Sequence, residues 1–228
     1  MNKPVRTRIA PSPTGDWHLG NARTALFSYL FARKHGGQFF LRIEDTDQTR
    51  LVPGAVERLL SVLDWLGLRP DPLENGDPYF VQSENLPRYK TIAEQLVEGG
   101  CAYYCFATPE ELEVMRKEQE AAKQPPHYDN RWGYRDLPLA EAKARVTRGT
   151  PYVIRFKMRQ EGITTVSDLI RGEISFENAL LDDFIILKAD GFPTYHLAHV
   201  IDDFRGSVHM TVNLACQRHQ DIRCNFLL

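Results

Sequence analysis

The 228 residues are enough for one large domain or two small ones, and a hydrophobic content of 43% allows a packed core. A formal net charge of -2 gives no support to nucleic-acid binding through a broadly basic surface, although a local basic patch fits within such a total. We find no apolar run long enough to span a bilayer, no signal peptide and no disulfide framework among the four cysteines, so we expect a cytoplasmic protein without a membrane partner.

The first stretch of the chain has the pattern of a βαβ unit. Residues 5–10 are β-prone, and the prolines and glycine of residues 11–15 end that strand. Apolar residues at helical spacing predict a helix over residues 21–34, and alternating aromatic and β-branched residues predict a strand over 38–43. Such a unit is the building block of a parallel nucleotide-binding sheet.

Further along, an amphipathic helix follows Pro53 and another covers residues 86–98. The pattern then changes to a mixture typical of an α+β insertion over residues 101–181. Its predicted elements are a strand at 101–106, a charged helix at 109–122, a loop at 124–138, and strands at 152–158, 164–169 and 173–176. An apolar strand at 183–189 follows, and we expect residues 192–201 to return to the nucleotide-binding sheet. These expectations give three domains, at 1–100, 101–181 and 182–228.

The loop before the first helix ends in His18-Leu19-Gly20-Asn21. A helix N-terminus presents free N–H groups and partial positive charge, which favour a phosphate. An imidazole there can donate to a phosphate oxygen, and a glycine leaves room for a flat ring such as adenine. A loop histidine beside a packing glycine is the alternative interpretation.

Three segments together resemble the signature of the class I aminoacyl-tRNA synthetases in its glutamate- and glutamine-specific form. They are Arg-Ile-Ala-Pro-Ser-Pro-Thr-Gly at 8–15, His-Leu-Gly-Asn at 18–21 and Arg-Ile-Glu-Asp-Thr-Asp at 42–47. Later family segments are matched by Tyr-Asp-Asn-Arg at 128–131, Tyr-Val-Ile-Arg-Phe at 152–156 and Asp-Gly-Phe-Pro-Thr-Tyr-His-Leu-Ala at 190–198. The resemblance covers residues 5–203 and favours the bacterial glutamyl-tRNA synthetases.

The resemblance implies an α/β fold, with a Rossmann-type parallel nucleotide-binding sheet, an inserted α+β acceptor-binding domain and an incomplete second half of the sheet. It also implies a ligase that activates L-glutamate with ATP to glutamyl-adenylate, Mg2+ shielding the phosphates, and then transfers glutamate to tRNA(Glu). The expected partners are therefore L-glutamate, ATP and the acceptor stem of tRNA(Glu).

The chemistry of glutamate assigns two charged residues to its binding. Arg8 suits the side-chain carboxylate, because a guanidinium grips a carboxylate through two parallel hydrogen bonds. Glu44, at the carboxyl end of a predicted strand, suits the substrate ammonium. Taken singly, either residue could belong to a surface ion pair. The resemblance adds four residues to the glutamate site: Ala10, Ser12, Tyr195 and His199. A core position is the alternative interpretation of Tyr195, and a simple contact with polar neighbours is the alternative for His199.

For ATP, the resemblance implies binding by residues of the loop and of the first helical turn. These are Thr14, Gly15, His18, Gly20 and Asn21. It also implies a catalytic role for His18 and Gly20, with the His18 imidazole stabilising the phosphoryl transition state. Positioning and charge stabilisation carry the first step, so little acid–base chemistry is required.

Some members of this family hold zinc in the inserted domain through a Cys-x-Cys pair and a second Cys- or His-containing pair. Here the first place contains Cys105-Phe106-Ala107 and the second contains Arg131-Trp132-Gly133-Tyr134, so one thiol remains where a tetrahedral site needs four ligands. We expect no zinc, no metal-ligating residues, and a buried, hydrophobic role for Cys105. The set Cys216, His219 and Cys224 matches no metal-binding spacing.

The motif-level resemblance ends at Asp202-Asp203, before the family's Arg-Gly-Glu segment and Lys-Met-Ser-Lys-Ser-type loop. A shifted reading frame or an altered terminus is one hypothesis for that boundary. Two functional alternatives follow. One is a non-catalytic fragment that binds ATP, glutamate or tRNA; the other is an enzyme like the glutamyl-queuosine tRNA synthetases, whose opening segment and zinc cluster differ from the residues found here.

Overall fold

A computed structural model of the chain describes residues 5–168 and 172–205. The described residues form two compact units. The first contains residues 5–86 and 198–205, and the second contains residues 87–168 and 172–197. Within the described part of the chain, no helix has the length and apolar character needed to cross a membrane.

The first unit opens with the predicted βαβ unit. Strand β1 (Arg6–Ile9) leads through the proline-rich loop into helix α1 (Leu19–Lys34), which begins two residues before its predicted start. Strand β2 (Gln38–Ile43) then pairs in parallel with β1, with Arg8 opposite Phe40. Helix α2 (Ala55–Trp65) follows, and the short strand β3 (Phe80–Val81) adds to the other edge of β2 in parallel. The predicted α/β class with a Rossmann-type parallel sheet is confirmed.

The core of the first unit lies between this sheet and its helices. Its buried members come from β1, α1, β2 and α2 and from the turn after α2; they are Ile9, Ala25, Ala32, Phe39, Leu41, Ile43, Leu59, Leu63 and Leu68. Thr7 on β1 is fully buried, and its hydroxyl donates to the carbonyl oxygen of Ser28 on α1 at 2.8 Å. Side chains alternate between the faces of a strand, so Arg8 points away from the face that Thr7 and Ile9 share.

A close approach at the start of β2 requires glycine. A Cβ atom added at Gly37 would lie 2.1 Å from the carbonyl oxygen of Val5, which accepts a hydrogen bond from the Gln38 N–H at 2.9 Å. Any side chain at position 37 would therefore push β1 and β2 apart at the point where their pairing begins.

The second unit is the mixed α and β region that the sequence predicts. Three strands, β4 (Ala102–Cys105), β5 (Val153–Phe156) and β8 (Ile185–Leu187), form an antiparallel sheet in the order β4-β5-β8. Strands β6 (Ile163–Asp168) and β7 (Gly172–Glu177) form a separate antiparallel hairpin. The helices associated with this region are α3 (Leu86–Glu98), α4 (Pro109–Ala121) and α5 (Leu139–Thr147).

The prediction that residues 192–201 return to the nucleotide-binding sheet is wrong. Residues from Tyr195 onward form helix α6 (Tyr195–Arg205), and the segment before it makes only an isolated bridge between Leu187 and Pro193. Leu197, Ala198 and Ile201 are all buried at spacings of one, three and four residues, which is the period of a helix. Helix α5 also has no counterpart among the predicted elements.

Candidate active site

Five charged side chains of the first unit form what we call the charge cluster: Arg8, Arg42, Glu44, Asp202 and Asp203. Arg8 lies near the carboxyl end of β1, and Arg42 and Glu44 lie at the carboxyl end of β2. Parallel strands end at one common edge of the sheet, which is where ligands bind in such folds. The two aspartates come from α6.

Within the charge cluster, two arginines share one carboxylate. The Arg8 guanidinium donates from Nε and Nη2 to the two oxygens of Asp203, at 2.7 and 2.9 Å. Arg42 donates from Nη1 to Asp203 Oδ1 at 2.5 Å and from Nη2 to Glu44 Oε1 at 2.8 Å. Asp202 lies 3.9 Å from Arg42 Nε and accepts a hydrogen bond from Gln82 at 2.7 Å. These contacts are bidentate or charge-assisted, the strongest class of hydrogen bond in proteins.

Burial makes the balance of charge in this cluster important. Arg42 is only 4% exposed. Burial disfavours its charged form, but the carboxylates of Glu44, Asp203 and Asp202 outweigh that penalty and raise the pKa of the guanidinium. Burial of Asp203 acts in the same way against its charge, and the guanidinium groups of Arg42 and Arg8 outweigh it, so the pKa of Asp203 is lowered. Both groups are therefore held in their charged forms by each other.

Two atoms of the charge cluster remain open. Arg8 uses Nε and Nη2 on Asp203, and no described residue bonds its Nη1. Glu44 uses Oε1 on Arg42, and no described residue bonds its Oε2. Neither atom belongs to the buried polar atoms of the described chain that lack a partner, so both retain contact with solvent. The cluster thus presents one free cationic donor and one free anionic acceptor.

The proline-rich loop is anchored beside this cluster. The backbone N–H of Glu44 donates to the carbonyl oxygen of Pro11 at 2.9 Å, and the N–H of Val52 donates to that of Pro13 at 3.0 Å. The loop also contains a tight turn, in which the N–H of Thr14 donates to the carbonyl oxygen of Ser12 at 2.9 Å. These bonds hold the loop against the segment that follows β2.

His18 caps the N-terminus of α1. Its Nδ1 accepts a hydrogen bond from the backbone N–H of Gly20 at 3.1 Å, so a neutral imidazole carries its proton on Nε2. The side chain is exposed, and the first turn of α1 contains no acidic residue. A Cβ atom at Gly20 would lie 2.9 Å from the His18 ring, so a larger residue at position 20 would displace the capping imidazole.

The other predicted site residues fall in different places. Ala10, Thr14, Gly15 and Asn21 are half-buried and Ser12 is exposed, all in the loop or the first turn of α1. His199, on α6 in the first unit, is 8% exposed. Tyr195 begins α6 within the second unit, and its ring lies 5.9 Å from that of His196. The binding roles of all these residues stay predictions.

Sequence reasoning missed the roles of Arg42, Asp202 and Asp203. Arg42 lies in the matched motif at 42–47 without an assigned role, and Asp202 and Asp203 follow the last matched motif. Asp203 lies 195 residues after Arg8 and 161 after Arg42. The available signal was chemical. An arginine inside a strand that is otherwise apolar must find a carboxylate, because an unpaired buried charge is strongly disfavoured.

In the second unit, Cys105 is buried, as predicted. Its Sγ lies 3.3 Å from the hydroxyl of Tyr128, and Trp132 and Tyr134 pack against the same hydrophobic cluster. Across the described residues, no three His, Cys, Asp or Glu side chains are grouped as metal ligands. Cys216, His219 and Cys224 lie outside the described residues.

The lowered pKa of Asp203 predicts a component of acid sensitivity. A carboxylate with a depressed folded-state pKa contributes stability above its unfolded pKa, about 3.9, and loses it as the pH falls through the lower folded value. Urea unfolding between about pH 6 and pH 2.5 should therefore show a loss of stability below about pH 4 that is smaller in Asp203→Asn. Parallel stability curves for the two proteins would contradict the prediction.

The comparisons with known proteins agree with this architecture. The family model described as tRNA synthetases class I (E and Q), catalytic domain, matches residues 4–227, and the chain belongs to that family. The match to the family model extends past Asp203, whereas the relatives described below cover 89–90% of the chain.

Within this family, the chain is similar to glutamate–tRNA ligases. The chain is 54% identical over 207 residues to the glutamate–tRNA ligase of Dehalococcoides mccartyi strain CBDB1, covering 89% of this chain and 40% of that protein. It is 50% identical to that of Amoebophilus asiaticus, covering 90% and 42%. The crystal structure of the glutamate tRNA ligase from Elizabethkingia meningosepticum in complex with its amino acid superposes with a TM-score of 0.83 at 45% identity, covering 90% and 43%. The chain thus spans about two fifths of the length of these relatives.

Proposed function

We propose that this chain is the glutamate- and ATP-binding part of a glutamate–tRNA ligase, which activates L-glutamate as glutamyl-adenylate and transfers it to tRNA(Glu). The observation that carries the proposal is the pair of open atoms in the charge cluster, Arg8 Nη1 and Glu44 Oε2. Family membership and the names of the relatives support the choice of reaction.

Free glutamate has two carboxylates and one ammonium. In the proposed complex, Arg8 donates to the side-chain carboxylate and Glu44 accepts from the ammonium, so the α-carboxylate is left free to react. Both protein groups are held by charged neighbours and need little reorganisation on binding, which is the condition for a preorganised site. Ser12, Ala10, Tyr195 and His199 are proposed to complete the amino-acid site.

ATP is proposed to bind over the loop and the N-terminus of α1, through Thr14, Gly15, His18, Gly20 and Asn21. The residues present fit a phosphate: the helix N-terminus is exposed, the first turn of α1 contains no acidic residue, and the His18 cap leaves Nε2–H as a donor. Mg2+, when bound with ATP, would supply shielding of the phosphate charge.

In the proposed reaction, a glutamate α-carboxylate oxygen attacks the α-phosphorus of ATP. The bond to the bridging oxygen breaks, and pyrophosphate leaves with that electron pair. The chain's own contribution is to hold the two substrates in position and to donate from His18 to the charge that develops on the phosphate. A hydroxyl of the terminal tRNA ribose then displaces AMP from the adenylate.

Removal of the Arg8 guanidinium tests the glutamate site. We expect Arg8→Ala to weaken L-glutamate binding by at least about tenfold, because a charge-assisted hydrogen bond contributes roughly 1.5–3 kcal/mol. Arg8→Lys should also bind more weakly than the unchanged protein, since a lysine keeps the charge but lacks the planar fork. Isothermal titration calorimetry of the chain with L-glutamate measures both.

Arg69→Ala is the matched control, since Arg69 forms an exposed ion pair with Asp64 in the same unit. It should bind L-glutamate as the unchanged chain does. Equal affinity of Arg8→Ala and Arg69→Ala would contradict the proposed role of Arg8. ATP–pyrophosphate exchange with glutamate then separates catalysis from binding alone: exchange above background supports the ligase reaction, and binding without exchange supports a binding role only.

A further inference from the structure

Asp203 connects the two groups that are proposed to grip glutamate. Its Oδ1 accepts hydrogen bonds from both Arg8 and Arg42, and Arg42 in turn holds Glu44. We propose that Asp203 is a positioning residue that fixes the orientation of Arg8 and thereby sets the selectivity of the site for a carboxylate side chain over an amide. The inference rests on the proposed function and extends it to a residue outside the glutamate-binding set.

The orientation of Arg8 follows from the geometry of its ion pair. A guanidinium is a planar fork with five N–H donors, and Asp203 takes one edge of it through Nε and Nη2. A bidentate contact stops the group from rotating within its own plane. Nη1, opposite that edge, is consequently presented in one fixed direction. Arg8 and Asp203 are both largely buried, with side chains 10% and 18% exposed, so water competes little for this contact.

The same carboxylate sets the distance between the cationic and anionic ends of the site. Arg42 donates to Asp203 with one amino group and to Glu44 with the other, so the ion pairs run in series from Arg8 to Asp203, Arg42 and Glu44. Only Oε1 of Glu44 is used in this series, so Oε2 is left available to a substrate. A substrate that spans Arg8 Nη1 and Glu44 Oε2 therefore meets a rigid template.

A fixed arginine edge discriminates between glutamate and glutamine. The end of the guanidinium that Asp203 leaves open has the N–H groups of Nη1 and the second N–H of Nη2. Glutamate can accept from both nitrogens with its two side-chain oxygens, whereas glutamine has an NH2 group in place of one of them. Two donors that face each other without an acceptor lose a hydrogen bond and leave polar groups unpaired. A mobile Arg8 could turn away from the amide, so the penalty against glutamine depends on the contact with Asp203.

The test compares the affinities of the chain for L-glutamate and L-glutamine. Dissociation constants are measured by calorimetry and by NMR titration for the unchanged protein, Asp203→Asn, Asp203→Glu and the surface control Asp64→Asn. The Nε–H resonance of Arg8 in arginine-selective NMR spectra reports whether its guanidinium is fixed. Circular dichroism gives the folded fraction of each variant.

We expect Asp203→Asn to lower the ratio of the glutamine to the glutamate dissociation constant by at least about tenfold, with a weakened Arg8 Nε–H signal. Asp203→Glu should recover part of the ratio, and Asp64→Asn should match the unchanged chain. A partly unfolded variant would bind both amino acids more weakly by the same factor and leave the ratio unchanged.

The outcomes separate the two proposals. An unchanged ratio and an unchanged Arg8 signal in folded Asp203→Asn would overturn the positioning role while leaving glutamate binding in place. Failure of the unchanged chain to bind L-glutamate would overturn the proposed function and, with it, the role assigned to Asp203.

Discussion

Replacement of Arg42 by methionine is expected to lower the free energy of unfolding by about 3–5 kcal/mol. Methionine has a similar length and can fill the space along β2, so the change removes mainly the charge. The guanidinium is almost fully buried and is bonded to Glu44 and Asp203, with Asp202 at 3.9 Å. Without it, the charge cluster keeps three carboxylates and only the guanidinium of Arg8.

The expected loss of stability arises from the carboxylates that remain buried without Arg42, and it is larger than the net contribution of the ion pairs to the free energy of unfolding. A buried ion pair often contributes little overall, because desolvation offsets the attraction, but removal of one partner leaves an uncompensated charge. Asp203 keeps Arg8, while Glu44 loses both of the hydrogen bonds that its carboxylate accepts from Arg42.

Urea denaturation followed by circular dichroism measures the change, and hydrogen exchange locates it in β1, β2 and α6. Arg69→Ala serves again as the exposed control, since substitutions in surface ion pairs change stability by only about 0–1 kcal/mol. A loss below about 1 kcal/mol for Arg42→Met would show that the cluster relaxes or takes up water and that its charges are not held as described.

Local patterns in the sequence were sufficient for the βαβ unit. The strand at Gln38–Ile43 and the helix at Leu86–Glu98 have the predicted bounds. The spacing of apolar residues identifies each element, and a pair of glycines marks one end of it, before the strand and after the helix. Parallel pairing of β1 with β2 followed from the helix between them. The predicted class of fold therefore required no long-range information.

The errors lie where two periods compete. Residues 192–201 contain aromatic and β-branched residues that favour a strand, but the buried residues of α6 recur at helical spacing. Helix α5 carried a similar signal in Leu139, Ala142 and Val146, which recur at intervals of three and four residues. Hydrophobic spacing was the more reliable indicator in both segments, since it reflects which face of an element is buried.

In the candidate site, too, some residues could be assigned from the sequence and others could not. Arg8 and Glu44 could be assigned from the chemistry of an amino-acid substrate and from their places at strand ends. Their charged partners could not, because the pairing of Asp203 with β1 and β2 depends on how α6 packs against the sheet of the first unit. Such contacts are a property of the tertiary fold and leave no periodic trace in the sequence.

A second large effect is expected at Asp183 in the second unit, where Asp183→Asn should lower the free energy of unfolding by about 3–5 kcal/mol. The Asp183 side chain is only 6% exposed. One of its oxygens accepts a hydrogen bond from the Tyr103 hydroxyl at 2.8 Å. The other accepts from the backbone N–H of Met158 at 2.9 Å and pairs with the guanidinium of Arg135.

An asparagine cannot reproduce this arrangement. The Met158 N–H and the Arg135 guanidinium can only donate, so the single amide oxygen of an asparagine must face them. The NH2 group then faces the Tyr103 hydroxyl, which has to turn and accept, so that its own proton loses the acceptor it has in Asp183. Arg135 also loses its charged partner. The Tyr103 hydroxyl is held in its protonated, donating form, because burial and then the charge of Asp183 raise its pKa. Loss of the acceptor therefore leaves a buried hydroxyl without its bond.

Asp182→Asn provides the matched control, because it makes the same chemical change one residue earlier at a half-buried position. We expect it to change stability by less than about 1 kcal/mol. Tyr103→Phe removes only one donor to Asp183 and should cost about 1–3 kcal/mol, since it leaves one carboxylate oxygen short of a partner. Urea denaturation followed by tryptophan fluorescence measures all three variants, and one of the three tryptophans, Trp132, packs against the cluster that contains Tyr103. If Asp183→Asn were no more destabilising than Asp182→Asn, the Asp183 carboxylate would not be the acceptor that holds β4 and the segment after β5 together, and its contacts would contribute no more than ordinary solvated hydrogen bonds.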